Sequence, residues 1–118
     1  MTSAPPPHNP EEKQRLARLG DTSEGAIAER LRAALKVARL TQKDVARMLE
    51  RPVQTINAQF KKGRPSIELM RLFYRGYRID FNFLINGDFA QLPSDVQNEL
   101  IEVLDELERY GRRKASSD

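Results

Sequence analysis

The sequence lacks the residues on which several kinds of active site depend. It contains no cysteine, so neither a disulfide framework nor a thiolate zinc site is expected. Its single histidine, His8, lies in a proline-rich opening segment, where a catalytic or metal-binding side chain would have no rigid support. No glycine-rich phosphate loop follows a predicted strand, and no Ser/His/Asp or Cys/His set can be assembled. We therefore expect no enzymatic activity, no metal and no cofactor.

Long apolar stretches are absent as well. No run approaches the roughly 20 apolar residues that a membrane-spanning helix needs, and the opening residues do not follow the pattern of a secretory signal peptide. With 118 residues, of which 39% are hydrophobic and 31% charged, the chain has the size of one soluble domain with tails. We expect a cytoplasmic, nucleoid-associated protein with no membrane partner.

Apolar residues recur at spacings of three and four, which predicts an all-α fold with no confident strand. The first core helix is predicted over residues 26–39, with Arg30 among its outward-facing side chains. We divide the chain into a flexible N-terminal arm (1–24), a helical domain (25–88), a C-terminal helix (89–111) and a flexible tail (112–118). A short helix over residues 11–19 is compatible with the arm, and Gly111 is expected to end the last helix.

The stretch from Leu40 to Gly63 predicts two short helices joined by a tight turn. Thr41 and Asp44 form a capping-box pattern at the start of the first helix. The second helix carries Ile56 and Phe60 on one face, and a different face carries Val53, Gln54, Asn57 and Lys61. Carboxamides form paired hydrogen bonds with adenine, and a valine methyl can contact thymine. We therefore predict DNA base contacts from Val53, Gln54 and Asn57.

This stretch resembles the helix-turn-helix of the lambda-repressor-like, or XRE-like, family of bacterial and phage DNA-binding domains. Gln42, Ala46 and Ile56 match the family pattern, and the likeness covers roughly residues 26–88. Two positions depart from it, because Glu50 stands where glycine is usual and Gln59 where a large apolar residue is common. A left-handed non-glycine residue costs about 1–2 kcal/mol, so we expect a slightly remodelled turn at Glu50.

The resemblance implies a five-helix lambda-repressor-like DNA-binding domain, to which this chain adds a C-terminal helix. In such a domain the residue corresponding to Gln42 faces the DNA backbone, where the N–H groups of a helix start also point. We expect phosphate contacts from Gln42, Lys43, Thr55, Lys61, Lys62 and Arg64.

Charge is segregated along the chain. Residues 41–79 contain nine basic and three acidic residues, a net charge of +6, whereas residues 80–110 contain one basic and eight acidic residues, a net charge of −7. A basic segment coincident with the two short helices favours a nucleic-acid surface. The alternative is that both segments are ordinary solvated surface.

The last predicted helix carries a heptad-like apolar seam. Its members step by four, three, four and three residues, and neighbouring positions widen the seam. Either the helix folds back on its own domain or it pairs with a second copy. We favour a homodimer, with the interface formed by Val96, Leu100, Val103, Leu104, Leu107 and Tyr110.

These patterns together predict a sequence-specific transcriptional regulator, a dimeric repressor that binds double-stranded DNA. The alternative is a protein-interaction module on the same fold, an antitoxin or adaptor that binds a protein partner through its acidic C-terminal helix.

Overall fold

The structure, a computed structural model, describes residues 8–116 and the side chains of residues 8–111. This part of the chain forms seven helices and no strand, which confirms the predicted all-α class. The helices are α1 (Pro10–Ala17), α2 (Glu24–Ala38), α3 (Gln42–Leu49), α4 (Val53–Lys62), α5 (Ile67–Tyr77), α6 (Phe81–Asn86) and α7 (Ser94–Ser116).

Local sequence signals account for the helix boundaries around α3. The Thr41 hydroxyl accepts the backbone N–H of Asp44 at 3.1 Å, and the Asp44 carboxylate accepts the Thr41 N–H at 2.9 Å, which is the predicted capping box. Glu50 ends α3 in a left-handed conformation with φ 53° and ψ 49°. The turn thus has left-handed geometry at Glu50, with the strain that this conformation places on a residue with a Cβ.

Helix α2 lies at the centre of the fold. It packs against α7, α4 and α6, and its alanines and Leu31 are buried at those contacts. The core continues without interruption from Ile56 and Phe60 of α4 to Leu100 of α7. The residues assigned above to a central domain and to a C-terminal appendage therefore share one core.

The prediction that Arg30 faces outward is wrong. Its side chain is 1% exposed and lies on the apolar face of α2, between α1 and α6. The guanidinium donates five hydrogen bonds of 2.6–3.4 Å to the backbone carbonyls of Ala17, Arg18, Asp21, Leu84 and Ile85. Burial lowers the pKa of Arg30, but an arginine stays protonated at neutral pH. This one side chain therefore joins the ends of α1 and α6 to α2.

The apolar seam of α7 is also placed differently from the prediction. Leu100 is 0% exposed within the single chain, and Val96 and Leu104 are buried beside it. Their assignment to a dimer interface is wrong, because α2 and α1 already cover this face of the helix. Val103 and Leu107 are half-buried against the same core, and Tyr110 alone of the predicted set is exposed.

Residues 8–24 are not a flexible arm. Helix α1 packs on α7, with Leu16 and Ala17 buried, and His8 lies 2.8 Å from the Asp105 carboxylate. Helix α7 continues past Gly111 to Ser116, so neither the predicted helix end nor a tail beginning at residue 112 is observed. The remainder of the predicted arm, residues 1–7, and the last two residues of the predicted tail lie outside the described part of the chain.

Candidate nucleic-acid interface

Helices α3 and α4 form a contacting pair joined by residues 50–52. Val45 and Ala46 of α3 and Ile56 and Phe60 of α4 are buried, and these four side chains attach the pair to the core. Because its apolar side chains are used on the inner side, α4 presents the opposite face to solvent.

The outer face of α4 is polar and open. Gln54 and Asn57 are both exposed and lie one turn apart, and Thr55 is exposed next to them. Val53 is half-buried and packs against the core, so only part of its side chain reaches the surface. Of the three predicted base-contacting residues, two are thus fully available and the third is partly available.

The start of α4 adds a positive end to this face. Pro52 precedes the helix, no side chain caps its first N–H groups, and its first turn contains no acidic residue. Unpaired N–H groups give a helix start a partial positive charge. The end of α4 carries Lys61 and Lys62, so both ends of the helix are electropositive.

The predicted phosphate-contacting residues differ in exposure and in their ion pairs. Lys43, Lys61 and Lys62 are exposed and form no ion pair within the described part of the chain, whereas Gln42 is half-buried at the start of α3. Arg64 differs, because its Nε forms an ion pair with Glu24 of α2. Its positive charge is therefore partly neutralised by a residue from another element.

Gln59 has a structural role that explains its departure from the apolar residue expected there. Its Oε1 accepts the backbone N–H of Ser66 at 2.7 Å, which ties the end of α4 to the start of α5. Gln59 also borders a groove of about 460 Å³ along α4, lined by Gln54, Thr55, Ala58, Gln59, Lys62 and Arg64. The polar side chain thus fixes one wall of the candidate interface.

Two further ion pairs flank the interface. Arg47 contacts Asp44 at 2.8 Å, and Arg51 contacts Glu68 at 2.9 Å. The hydrogen bonds from Arg51 lower the pKa of Glu68, and those bonds in turn raise the pKa of Arg51. These two arginines carry less free positive charge than the sequence count implies, so the unpaired lysines dominate the field near α4.

A second exposed surface lies on α5 and α6. Ile67, Tyr74 and Phe81, here called the α5–α6 patch, are 66%, 55% and 36% exposed. The Tyr74 and Phe81 rings meet edge to face with centroids 6.2 Å apart. Arg71 and Arg75 border a groove of about 500 Å³ beside them, and Asp80 lines the same groove.

The sequence patterns do not predict the contacts of two charged residues, Arg30 and Glu24. Arg30 occupies a position between Ile27 and Leu31 on the apolar stripe of α2, and that position was a signal that it faces inward. Glu24 carries no such signal, because its partner Arg64 is forty residues away and the two meet only in the folded chain.

Within the described residues, no group of three or more potential ligands is arranged to hold a metal ion. None of the described helices combines the length and apolarity needed to cross a membrane. Comparison with known proteins found no matching family model, no matching curated protein and no matching solved structure.

Proposed function

We propose that this protein is a sequence-specific, DNA-binding transcriptional regulator with a lambda-repressor-like arrangement of helices, in which α4 enters the major groove. The observation that carries the proposal is the composition of the outer face of α4. Gln54 and Asn57 are exposed one turn apart, and Lys61 and Lys62 follow on the same helix with no ion pair in the described chain. Amides that can pair with base edges, flanked by free cations, match a groove bordered by phosphates.

Gln54 and Asn57 are proposed to contact base edges directly. A carboxamide donates and accepts at the same time, so it can form two hydrogen bonds with one adenine. Val53 contributes at most a methyl contact, because the core covers part of its side chain. Thr55 lies exposed beside them and is proposed to contact a phosphate.

The remaining phosphate contacts are proposed at the start of α3, at the end of α4 and, just beyond α4, at Arg64. Gln42 and Lys43 lie in the first turn of α3, and Lys61 and Lys62 in the last turn of α4. Free cations near phosphates release condensed counterions on binding, so this contact is sensitive to salt. Helix α7 carries the acidic segment. Its Glu99, Glu102 and Glu106 are exposed, and their negative charge disfavours DNA binding at that helix.

A homodimer is proposed, with the α5–α6 patch as the contact between copies. The seam of α7 is internal, whereas the α5–α6 patch is exposed and follows α4 in the chain. Its groove holds Arg71 and Arg75 together with Asp80, so two copies related by a two-fold axis can match opposite charges. Two α4 helices in such a pair would contact half-sites about one DNA turn apart, and occupancy of paired half-sites would block access to a promoter.

The second candidate is an adaptor or antitoxin that binds a protein partner through α7. A groove of about 480 Å³ near the end of that helix is lined by Lys36, Glu106, Leu107, Arg109 and Tyr110. Tyr110 is 64% exposed there, and exposed aromatic side chains are common at protein interfaces. This candidate leaves the outer face of α4 without a role, so it ranks second.

A binding selection from randomised DNA duplexes separates the two candidates. A DNA-binding regulator enriches a defined sequence, and a dimeric one enriches two related half-sites about 10 base pairs apart. An adaptor enriches no sequence and binds duplex DNA weakly if at all. Failure to enrich any sequence, with the protein folded and pure, would refute the proposed function.

A further inference from the structure

We infer that Glu24 weakens DNA binding by this protein, because its carboxylate competes with the DNA backbone for Arg64. The inference rests on the proposed function. Glu24 is the first residue of α2, and Arg64 lies just beyond the end of α4. The ion pair joins Arg64 Nε to Glu24 Oε2, and the two side chains are 73% and 57% exposed. It therefore lies on the surface and is open to an incoming phosphate.

The backbone holds the two charged groups close together. Gly63 ends α4 in a left-handed conformation with φ 64°, and it packs directly on the backbone of Glu24. A Cβ at position 63 would overlap the Glu24 carbonyl oxygen. The end of α4 cannot move away from the start of α2 without losing this contact. The backbone contact between Gly63 and Glu24 therefore keeps the Glu24 side chain close to that of Arg64.

Glu24 is surrounded by cations. A concave surface of about 320 Å³ is lined by Glu24, Gly25, Lys61, Lys62 and Arg64. Three of these five residues are basic and one is acidic. A phosphate that approaches the end of α4 therefore meets three positive charges. One of these, on Arg64, is already paired with the Glu24 carboxylate.

The expected effect follows from ion exchange. To offer its Nε to a phosphate, Arg64 must release Glu24, and the released carboxylate then repels the phosphate and retains a cation from solution. Retention of that cation offsets one of the counterions released from the DNA. The slope of log K against log salt concentration is therefore smaller in magnitude by about one. The effect does not depend on base sequence, so Glu24 lowers affinity for all DNA and leaves discrimination to the base contacts.

The test compares Glu24→Gln with a matched control, Asp95→Asn. Asp95 forms an exposed ion pair with Arg78 at 2.8 Å, so its substitution also frees an arginine and raises the net charge by the same amount. Binding to a random-sequence duplex is measured by fluorescence anisotropy between about 50 and 200 mM salt. E24Q is expected to bind about three- to five-fold more tightly at low salt, with a log–log salt slope steeper by about one. D95N is expected to stay within about two-fold of the wild type.

The same comparison in an Arg64→Ala background shows whether the effect passes through the arginine. E24Q is expected to gain little there, because no arginine remains to be released. The inference is overturned if E24Q binds no more tightly than wild type, if D95N gains as much, or if the gain persists without Arg64. These outcomes require salt-dependent binding by the wild-type protein. If neither wild type nor E24Q binds DNA, the proposed function itself is refuted.

Discussion

Gly87 leaves open the space that the Arg30 guanidinium occupies. A Cβ on Gly87 would lie 2.8 Å from Arg30 Nη2 and 2.5 Å from the Ala17 carbonyl oxygen, and the glycine has φ 74°. The close approach lets the guanidinium reach the backbone carbonyls at the ends of α1 and α6. One buried cation and one glycine thus fix how three helices meet.

Replacement of Arg30 is expected to destabilise the fold strongly. Arg30→Met keeps much of the side-chain volume but leaves buried carbonyl oxygens without donors, which should reduce the free energy of unfolding by about 3 kcal/mol or more. Arg30→Lys keeps the charge but lacks the planar, forked donor set, so its loss should be intermediate. Urea denaturation measures both. Equal stability of R30M and wild type would contradict a structural role for this hydrogen-bond cluster.

Gly63→Ala should lower stability by about 2–4 kcal/mol. The left-handed backbone contributes about 1–2 kcal/mol of that loss, and the overlap with the Glu24 backbone contributes the rest. Gly25→Ala is the matched control, since Gly25 lies in α2 with no atom within 4 Å of a new Cβ. G25A should stay within about 1 kcal/mol of wild type, on the stabilising side. The packing of α4 on α2 would be in doubt if both variants unfolded at the same denaturant concentration.

Leu100→Ala tests whether the apolar seam of α7 belongs to the core of a single chain. Because Leu100 is fully buried within one chain, its truncation should cost about 2–5 kcal/mol of folding free energy. Tyr110→Ala, at the exposed end of the seam, should change stability by no more than about 0.5 kcal/mol. Denaturation and sedimentation are measured together. A stable, monomeric L100A from a dimeric wild type would restore the seam as an interface.

The sequence predicts contacts between residues close together in the chain better than contacts between distant segments. The capping box of Thr41 and Asp44 spans three residues and was found from the pattern alone. The polar outer face of α4 is likewise local, because helical spacing separates Gln54 from Ile56. The cover that α1 and α2 provide for Leu100 is not local. An apolar seam looks the same whether its partner is another helix of the chain or a second copy, so periodicity could not decide between them.

The burial of the charged Arg30 side chain is a second feature that the sequence pattern does not predict. The sequence predicts Arg30 in solvent, together with the other charged residues of α2. Its partners are backbone carbonyls, which every sequence contains and which no residue pattern marks. The Glu24–Arg64 pair escaped prediction for a related reason, since it joins two elements whose proximity is set by Gly63.

Stability should fall at acid pH in part through Asp105. Hydrogen bonds from His8 and then Arg109 lower the pKa of Asp105 in the folded protein. Since the unfolded value is about 3.9, this carboxylate stabilises the fold fully above that pH, and its contribution is lost as the pH falls through the lower folded value. Asp105→Asn should be less stable than wild type near neutral pH, and the difference should shrink below about pH 4.

Glu102→Gln is the control for that experiment, because Glu102 is exposed on the same helix. The free energy of unfolding of E102Q should stay within about 0.5 kcal/mol of wild type near neutral pH. A difference between D105N and wild type that does not change with pH would mean that the charge of Asp105 is irrelevant to stability.

Helix α4 is proposed to contact base edges through Gln54 and phosphates through Lys61. The most direct test measures the dissociation constants of wild type, Gln54→Ala and Lys61→Ala for a selected duplex and a random one across a salt series. Q54A should lose about 1–3 kcal/mol of binding free energy on the selected duplex and little on the random one, whereas K61A should weaken both and reduce the salt slope by about one. Equal losses for Q54A on both duplexes, or no sequence preference in the wild type, would contradict the account.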